Sequence, residues 1–484
     1  MCGMAKIKIN AAVLEKTARR CRERGIIIPT FRQLREPGLV PDKIKARLKK
    51  TDLWAVDPVN LFRIGWHNDI ETGLYGGVNY LELPSSLTGV KARIIGLIGK
   101  YFPTGAHKVG AAFGCLVPRL VSGEFNPASQ KAVWPSTGNY CRGGAFDSAL
   151  LGAPAVAILP EGMSRERFEW LKSIGAEVIA TPGTESNVKE IYDKCWEIKK
   201  TRKDCVIFNQ FEEFGNPIWH YHVTGPAIEE VFSSLKGAAM AGYVSATGSA
   251  GTIAAGDYLK KKFPGMKVAA SEALQCPTLL LNGFGEHRIE GIGDKHIPWV
   301  HNVRNTDMVV AVDDENCMRL LRLFNEPEGK KTLAASGVPA SVIDKLPLLG
   351  ISGISNTLSA IKLAKYYELG ERDVVFTVFT DSMDLYKSRL AELAAGRGRY
   401  THDNAVADME RRLLGATVDY MRELSFTDRK ALHNLKYFTW VEQQGRTSDE
   451  LRRLWEPGFW DETFALADEW DKLIVKFNKT AGVL

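Results

Sequence analysis

From about residue 60 onward, short apolar runs rich in valine and isoleucine alternate with stretches of helical spacing. The runs fall at 93–99, 131–134, 155–159, 177–180, 206–208, 242–246, 267–270, 308–312 and 374–379. Continuous apolar runs of this length between helices predict parallel strands buried on both faces. The expected fold class is therefore α/β, built on buried parallel strands. Such sheets gather ligand sites at the carboxyl ends of their strands, so the loops that follow the runs are where chemistry is expected. The division expected is an N-terminal extension at 1–60, a smaller domain at 61–225, a larger one at 226–390 and a helical C-terminal extension at 391–484.

Outside the alternating region the spacing is helical. Residues 13–24 predict a short basic helix, ended by Ile26-Ile27-Ile28-Pro29, with Pro37 and Pro41 marking loops. Beyond 390, Gly396-Arg397-Gly398-Arg399 reads as a linker. Helical patterns follow at 404–423, 427–435, 449–455 and 462–477. Asp428 and Ser448 are the candidate caps near two of these starts. Trp440, Trp455, Trp460 and Trp470 crowd this segment. Tryptophan suits cores and interfaces alike. The segment is either a cap packed on its own subunit or a dimer brace or lid over the active site.

Composition narrows the function classes. The chain has 484 residues, 45% hydrophobic and 25% charged, which is ordinary for a globular protein of two or more domains. Its formal net charge of +6 comes from interspersed charges with no basic stripe, so nucleic acid is not an expected partner. The start, MCGMAKIKINAAVLEKTARR, carries charge where a signal peptide needs an apolar core. The longest apolar run, 149–160, is too short to span a bilayer. The eight cysteines form no Cys-x-x-Cys pair. A reducing compartment, the cytoplasm, is expected, with Cys2 and Cys21 as spare thiols.

The candidate chemistry centres on 101–112, YFPTGAHKVGAA. Pro103, Thr104 and Gly105 make a turn, and Val109, Ala111, Ala112, Phe113 and Leu116 continue as a packed helix. Lys108 therefore sits at a helix mouth, where the dipole disfavours an ordinary ammonium and suits a neutral amine or a Schiff-base nitrogen. A solvated lysine at a helix start is the bland alternative. After KAVWP comes Ser136-Thr137-Gly138-Asn139-Tyr140-Cys141-Arg142-Gly143, whose backbone N–H groups can close on a carboxylate. The same residues would also serve a simple turn. After GYVSA comes Thr247-Gly248-Ser249-Ala250-Gly251-Thr252 and then a helix start. That arrangement is a phosphate cradle. It lacks both the Gly-Lys-Ser/Thr of nucleotide loops and Gly-x-Gly-x-x-Gly, so a monophosphate ester fits it best. The run at 374–379 ends in Thr380-Asp381-Ser382, facing the same edge.

These blocks together resemble the fold type II pyridoxal-phosphate enzymes, close to the cysteine synthase and cystathionine β-synthase group. The likeness runs from about residue 60 to 390. Thr104–Lys108, TGAHK, is similar to the lysine segment of tryptophan synthase β chains. Residues 160–182, 209–228 and 285–298 resemble, in order, the helix-and-strand block, the Asn-Gln segment and the Gly-Ile-Gly loop of cysteine synthases. The resemblance implies an α/β fold of two parallel-sheet domains in the tryptophan synthase β-like architecture, and pyridoxal 5'-phosphate as cofactor. It implies that Lys108 attaches the cofactor and that Asn139 contacts its ring hydroxyl. Gly248, Ser249, Ala250, Gly251 and Thr252 hold its phosphate, Gly291 flanks the ring, and Ser382 bonds the ring nitrogen. Ser136, Thr137, Tyr140 and Gln210 grip the substrate carboxylate. Asp381 is the competitor for the ring. Successive strand residues face opposite ways, so Asp381 is expected to be solvated or capping.

The reaction implied is β-elimination or β-replacement on a small amino acid, with Lys108 as general base at Cα. Departures from the pattern leave the substrate open. Tyr140 stands where cysteine synthases carry a small threonine, and Ala250 replaces a glycine. Asn139-Tyr140-Cys141-Arg142-Gly143 is closer to some ammonia-lyases. A deaminating ammonia-lyase is thus the second reading. A cofactor-binding subunit that needs a partner protein is a third, of another class. A small amino acid as substrate and a homodimer are expected; no metal is. His220 and His222 flank Tyr221 without a third ligand at sensible spacing. His287, His296 and His301 surround the Gly-Ile-Gly loop, where substrate contact and structural roles stand equal. Cys141 lies beside Tyr140 and reads as a buried thiol, and 73–77 as a turn.

Overall fold

Each predicted apolar run is a strand in the computed structural model, which describes residues 7–136, 138–183, 188–293 and 295–483. In chain order the strands are β1 (Asn68–Asp69), β2 (Leu74–Tyr75), β3 (Tyr80–Leu83), β4 (Arg93–Ile98), β5 (Lys131–Pro135), β6 (Ala155–Pro160) and β7 (Glu177–Thr181). Then follow β8 (Cys205–Ile207), β9 (Ala239–Ala246), β10 (Lys267–Ala273), β11 (Met308–Val312), β12 (Asp373–Phe379) and β13 (Met421–Glu423). β1 and β2 make a short hairpin that turns at 70–73, so Leu74 and Tyr75, expected within a turn at 73–77, are strand instead. The others form a four-stranded sheet, β7-β6-β5-β8, and a seven-stranded sheet, β13-β11-β10-β9-β12-β4-β3. The four-stranded sheet is parallel throughout. In the larger sheet β9, β10, β11, β12 and β4 run parallel, and the edge strands β3 and β13 are antiparallel.

Two expectations change here. β3 and β4 lie within 61–225 but pair into the larger sheet, so the chain crosses that sheet before building the smaller one. The pattern at 404–423 is not one helix: His402–Asp408 is helical, Met409–Leu414 winds more loosely, and β13 pairs with β11. The C-terminal segment is thus partly an edge of the central sheet. Its caps also differ. Ser425 and Thr447 are the capping residues, and the backbone N–H of each donates in return to the side chain three residues on, Asp428 and Glu450. The proposed linker is helical up to Arg397, which pairs with Glu315.

The order of the larger sheet positions the site. β9, β12 and β4 are adjacent and parallel, so the loops leaving their carboxyl ends stand side by side. Those loops are 247–252, 380–382 and the segment leading to Lys108.

The N- and C-terminal segments pack on one another behind the Lys108 helix. Asn10 caps the helix Ala11–Glu23, whose buried face is Leu14, Ala18 and Cys21. Asn478, on the long helix Pro457–Ala481, donates to Ile28 O at 2.8 Å and accepts from Ile28 N at 3.2 Å. Asp471 accepts from the N–H groups of Phe31 and Arg32. The Phe31 ring lies between Phe113 and Trp470, with centroids 5.8 and 5.7 Å away. Trp440, Trp460 and Trp470 are buried and Trp455 is half-buried in this same chain, which is the cap arrangement. Among the described residues no helix is long and apolar enough to cross a membrane.

Candidate active site

The chain leaves β4 through two tight turns, Gly99–Tyr101 and Pro103–Gly105, before the helix Lys108–Ser122 begins. Thr104 holds a left-handed φ of 69°, unusual for a residue with a branched side chain, and is fully buried. The helix that follows is buried on nearly every face, which fixes its first residue firmly. Lys108 Nζ reaches into a narrow cleft, where it donates to Ser249 Oγ at 2.9 Å and Gln210 Oε1 at 3.3 Å. It is the one charged side chain among the described residues that line the cleft.

The loop after β9 forms one wall. Gly248, Ser249, Ala250, Gly251 and Thr252 all line the cleft. Ala250 takes a φ of 56°. A Cβ on Gly251 would lie 1.8 Å from Asn216 Oδ1, so only glycine fits. Asn216 Nδ2 in turn donates to Ser249 Oγ at 3.1 Å. Thr252 Oγ1 lies 3.0 Å from His107 Nε2 and 3.4 Å from His220 Nε2. The cradle is thereby tied to the residue next to Lys108. Burial, and then the Lys108 charge, push His107 down to about 3. Burial likewise drives His220 well below the ordinary range. Both rings are neutral, so the cradle is left with backbone donors and hydroxyls, the donor set that a phosphate monoester takes.

The loop after β5 forms the opposite wall. Ser136, Asn139 and Tyr140 line the cleft, with Gln210 and Phe211 from the loop after β8. Thr137 lies outside the described residues. Ser136 Oγ accepts from Gly138 N at 3.1 Å. A Cβ on Gly143 would fall 2.7 Å from Val109 Cα, so this glycine lets the helix Asn139–Leu150 close on the Lys108 helix. Asn139 Nδ2 donates to Asp381 Oδ2 at 2.6 Å, whereas its Oδ1 is buried without a donor. The Tyr140 ring stands edge-on to Trp134, and its phenol is buried, which together with Cys115 beside it holds the hydroxyl well above its usual range.

The residues after β12 differ from expectation. Asp381 is neither solvated nor a cap. It is fully buried and accepts from Asn139 and from Tyr386 OH, at 2.6 Å each. Burial raises its carboxyl, against the lowering effect of Tyr386 and Arg167. Ser382 caps the short turn Met383–Leu385 through Asp384, with both contacts at 3.4 Å. Thr380, two residues earlier, lines the cleft.

Gly291 and Gly293, with φ of 95° and 79°, close the cleft with Ile292. Of the histidines around them, His287 packs against Gly293 and accepts from Ile289 N at 3.2 Å through Nδ1, while His296 Nε2 meets Tyr192 OH and His301 Nε2 meets Thr306 Oγ1. His222 Nε2 meets Phe464 O. Sequence reasoning missed His107, Asn216, Phe211, Ile292 and Thr380. For His107 its place beside Lys108 was a signal; Asn216 and Phe211 carry none that a linear pattern shows.

The donor set accommodates pyridoxal 5'-phosphate. A cradle opening on the helix Ala254–Lys262 awaits an anion, Asn139 Oδ1 awaits a donor, and one amine stands between them. The comparisons agree. Residues 99–381 match the family described as pyridoxal-phosphate dependent enzyme. The chain is similar to a cysteine synthase of Staphylococcus aureus, 29% identical over 318 residues, covering 66% of this chain and 94% of the relative. An O-acetylserine dependent cystathionine beta-synthase of Bacillus subtilis is 30% identical over 277 residues, 56% of this chain and 80% of the relative. Among solved structures, a hydrogen sulfide-producing enzyme of Fusobacterium nucleatum superposes with a TM-score of 0.55 at 28% identity, covering 68% of this chain and 92% of that one.

Proposed function

This chain belongs to the pyridoxal-phosphate-dependent enzyme family, and from that premise we propose that it catalyses β-elimination or β-replacement on a small amino acid with a β leaving group, such as O-acetylserine. The observation that carries the reading is Lys108 Nζ, held between Ser249 on the cradle wall and Gln210 on the opposite wall. In this reading Lys108 attaches the cofactor, residues 248–252 hold its phosphate, Asn139 Oδ1 accepts from its ring hydroxyl and Gly291 flanks the ring. When bound, the cofactor supplies the electron sink for charge developing at the substrate Cα. Ser136, Thr137, Gln210 and the backbone at Tyr140 grip the substrate carboxylate. Lys108 Nζ would serve as the general base for the Cα proton and, in replacement, would give it back to Cα.

Asp381 lines no part of the cleft: its Oδ2 accepts from Asn139 and Tyr386, and its Oδ1 lies against Gly350, so in this reading the group facing the ring nitrogen is a hydroxyl, from Thr380 or Ser382. A hydroxyl leaves that nitrogen neutral and favours loss of a β-substituent over reprotonation at Cα. The likeness of 139–143 to ammonia-lyases weighs less, because Arg142 is buried and stacks on Trp170, 4.7 Å from its ring centre. The reading includes a homodimer, and its placement in the cytoplasm is supported by the free, buried thiols of Cys21, Cys115, Cys141, Cys195, Cys276 and Cys317.

Borohydride reduction of the loaded protein followed by peptide mass mapping tests the attachment. The expected adduct is on Lys108, and an adduct on another lysine overturns the reading. Turnover of O-acetylserine by the purified chain, with keto acid, ammonia and sulfide consumption followed separately, divides elimination from replacement. Turnover only after a second protein is added would favour the partner-dependent subunit.

A further inference from the structure

The helix Ala254–Lys262 starts at the phosphate cradle and carries Asp257 in its first turn. The Asp257 side chain is more than nine-tenths buried, at 8% exposure. Its Oδ1 accepts from Asn302 Nδ2 and Asn305 Nδ2, both at 2.6 Å. Among the described residues its other oxygen accepts no hydrogen bond. The lysines of its own helix, which line the same cavity, form ion pairs with other carboxylates: Lys260 with Asp307 and Lys261 with Asp461. Asn302 Oδ1, next to it, is buried without a donor. Removing a carboxylate from water is unfavourable, and burial pushes Asp257 up to about 7 against the lowering effect of Asn305, Asn302 and the charges of Lys260 and Lys261.

These groups line a cavity of about 280 Å³ that shares no residue with the cleft around Lys108. Trp460 and Phe464 of the long C-terminal helix close its far side. Arg304 lines it as well. One Arg304 N–H bonds Trp455 O at 2.9 Å, and among the described residues no carboxylate lies within ion-pair distance of it. One cavity thus holds two acceptors lacking a donor, a guanidinium lacking an anion, and an aromatic wall. A zwitterion with an apolar body satisfies all three: an ammonium donates to the acceptors, and a carboxylate accepts from the guanidinium.

We propose that this cavity binds a free α-amino acid with a medium-sized apolar side chain, its ammonium on Asp257 and Asn302, its carboxylate on Arg304 and its side chain against Trp460 and Phe464. It is a second amino-acid site, on the seam between the catalytic domain and the C-terminal helix.

Calorimetric titration of the cofactor-loaded full chain with L-leucine as probe tests it. Saturable binding is expected. L-leucinamide, without the carboxylate, and 4-methylpentanoate, without the ammonium, should each bind at least about tenfold more weakly. Asp257→Asn and Arg304→Gln should each weaken L-leucine by at least about tenfold, while Gln210→Ala, in the other cleft, should leave it bound. Arg304 is outside the buried set, so Arg304→Gln decides the matter even if Asp257→Asn does not fold. The proposal fails if L-leucine does not bind, if either cavity variant binds it as the parent does, or if Gln210→Ala abolishes binding.

Discussion

Asn139 and Asp381 work as a pair. The Asp381 carboxylate fixes the Asn139 amide so that its nitrogen points inward and its oxygen is left for a ligand. Removing one partner of a buried hydrogen bond costs about 1–3 kcal/mol. Asp381→Ala should therefore lower kcat/KM by about 10- to 100-fold by releasing Asn139 and Tyr386 together, although Asp381 lines no part of the cleft. Thr380→Val should slow turnover more than Ser382→Ala, because Thr380 lines the cleft and the Ser382 hydroxyl is turned to Asp384. The opposite order would return the ring nitrogen to Ser382. Gln210→Ala should raise KM about tenfold or more, the loss of one hydrogen bond to a charged group, while the loaded protein keeps its cofactor absorbance. An unchanged KM would take Gln210 out of the carboxylate grip. Much of this was legible in the sequence, because the special residues follow strands directly and a parallel sheet puts strand ends together. The orientation of Asp381 was not legible. Alternation along a strand says which neighbours diverge, but not that a tyrosine five residues on and an asparagine from another loop converge on the same carboxylate.

At the scale of elements, the continuous apolar runs all proved to be strands, with ends displaced by three residues at most. The missed strands of the larger sheet, β3 and β13, are antiparallel edges, and β1 and β2, also missed, form a hairpin of two-residue strands. Half-exposed edges alternate or carry charge, as in Tyr80–Leu83 and Met421–Glu423, so no apolar run announces them. The helix Phe426–Lys436 shows how such elements are held. Lys436 is fully buried, and its Nζ donates to Trp299 O at 2.9 Å and His301 O at 2.7 Å. Burial pulls it from the ordinary 10.5 down to about 7. Between those values the unfolded chain binds more protons at this lysine than the folded one, so stability rises with pH across that window. The penalty is fully present below about 7 and is relieved as pH climbs. In urea unfolding at about pH 7 and about pH 9.5, the stability of the parent relative to Lys436→Met should increase with pH. A difference that stays flat would mean that Lys436 keeps its charge on the two carbonyls.

The whole molecule is tied together by segments that sequence patterns treat as appendages. β13 extends the central sheet, Trp440 donates to Ile297 O at 2.8 Å beyond the Gly-Ile-Gly loop, and the long C-terminal helix covers the Lys108 helix together with Phe31. A chain ending at Ala395 should be insoluble or aggregated on size exclusion, because it uncovers Leu14, Ala18 and Phe31 on one side and the edge of β11 on the other. A soluble, active truncation would show the segment to be dispensable. The meeting of the helix Ala11–Glu23 with the helix Pro457–Ala481 also sets a timetable for synthesis. At about 5–20 residues per second, the ribosome needs roughly 20–90 seconds after making the first of these helices before it starts the second. For that interval the helix Ala11–Glu23 can meet the Lys108–Ser122 helix but lacks its second partner, the helix Pro457–Ala481, and Phe31 lacks Trp470. The nascent polypeptide must shelter that face, by chaperone or by transient non-native packing, until its last tenth emerges and the back of the Lys108 helix can be sealed.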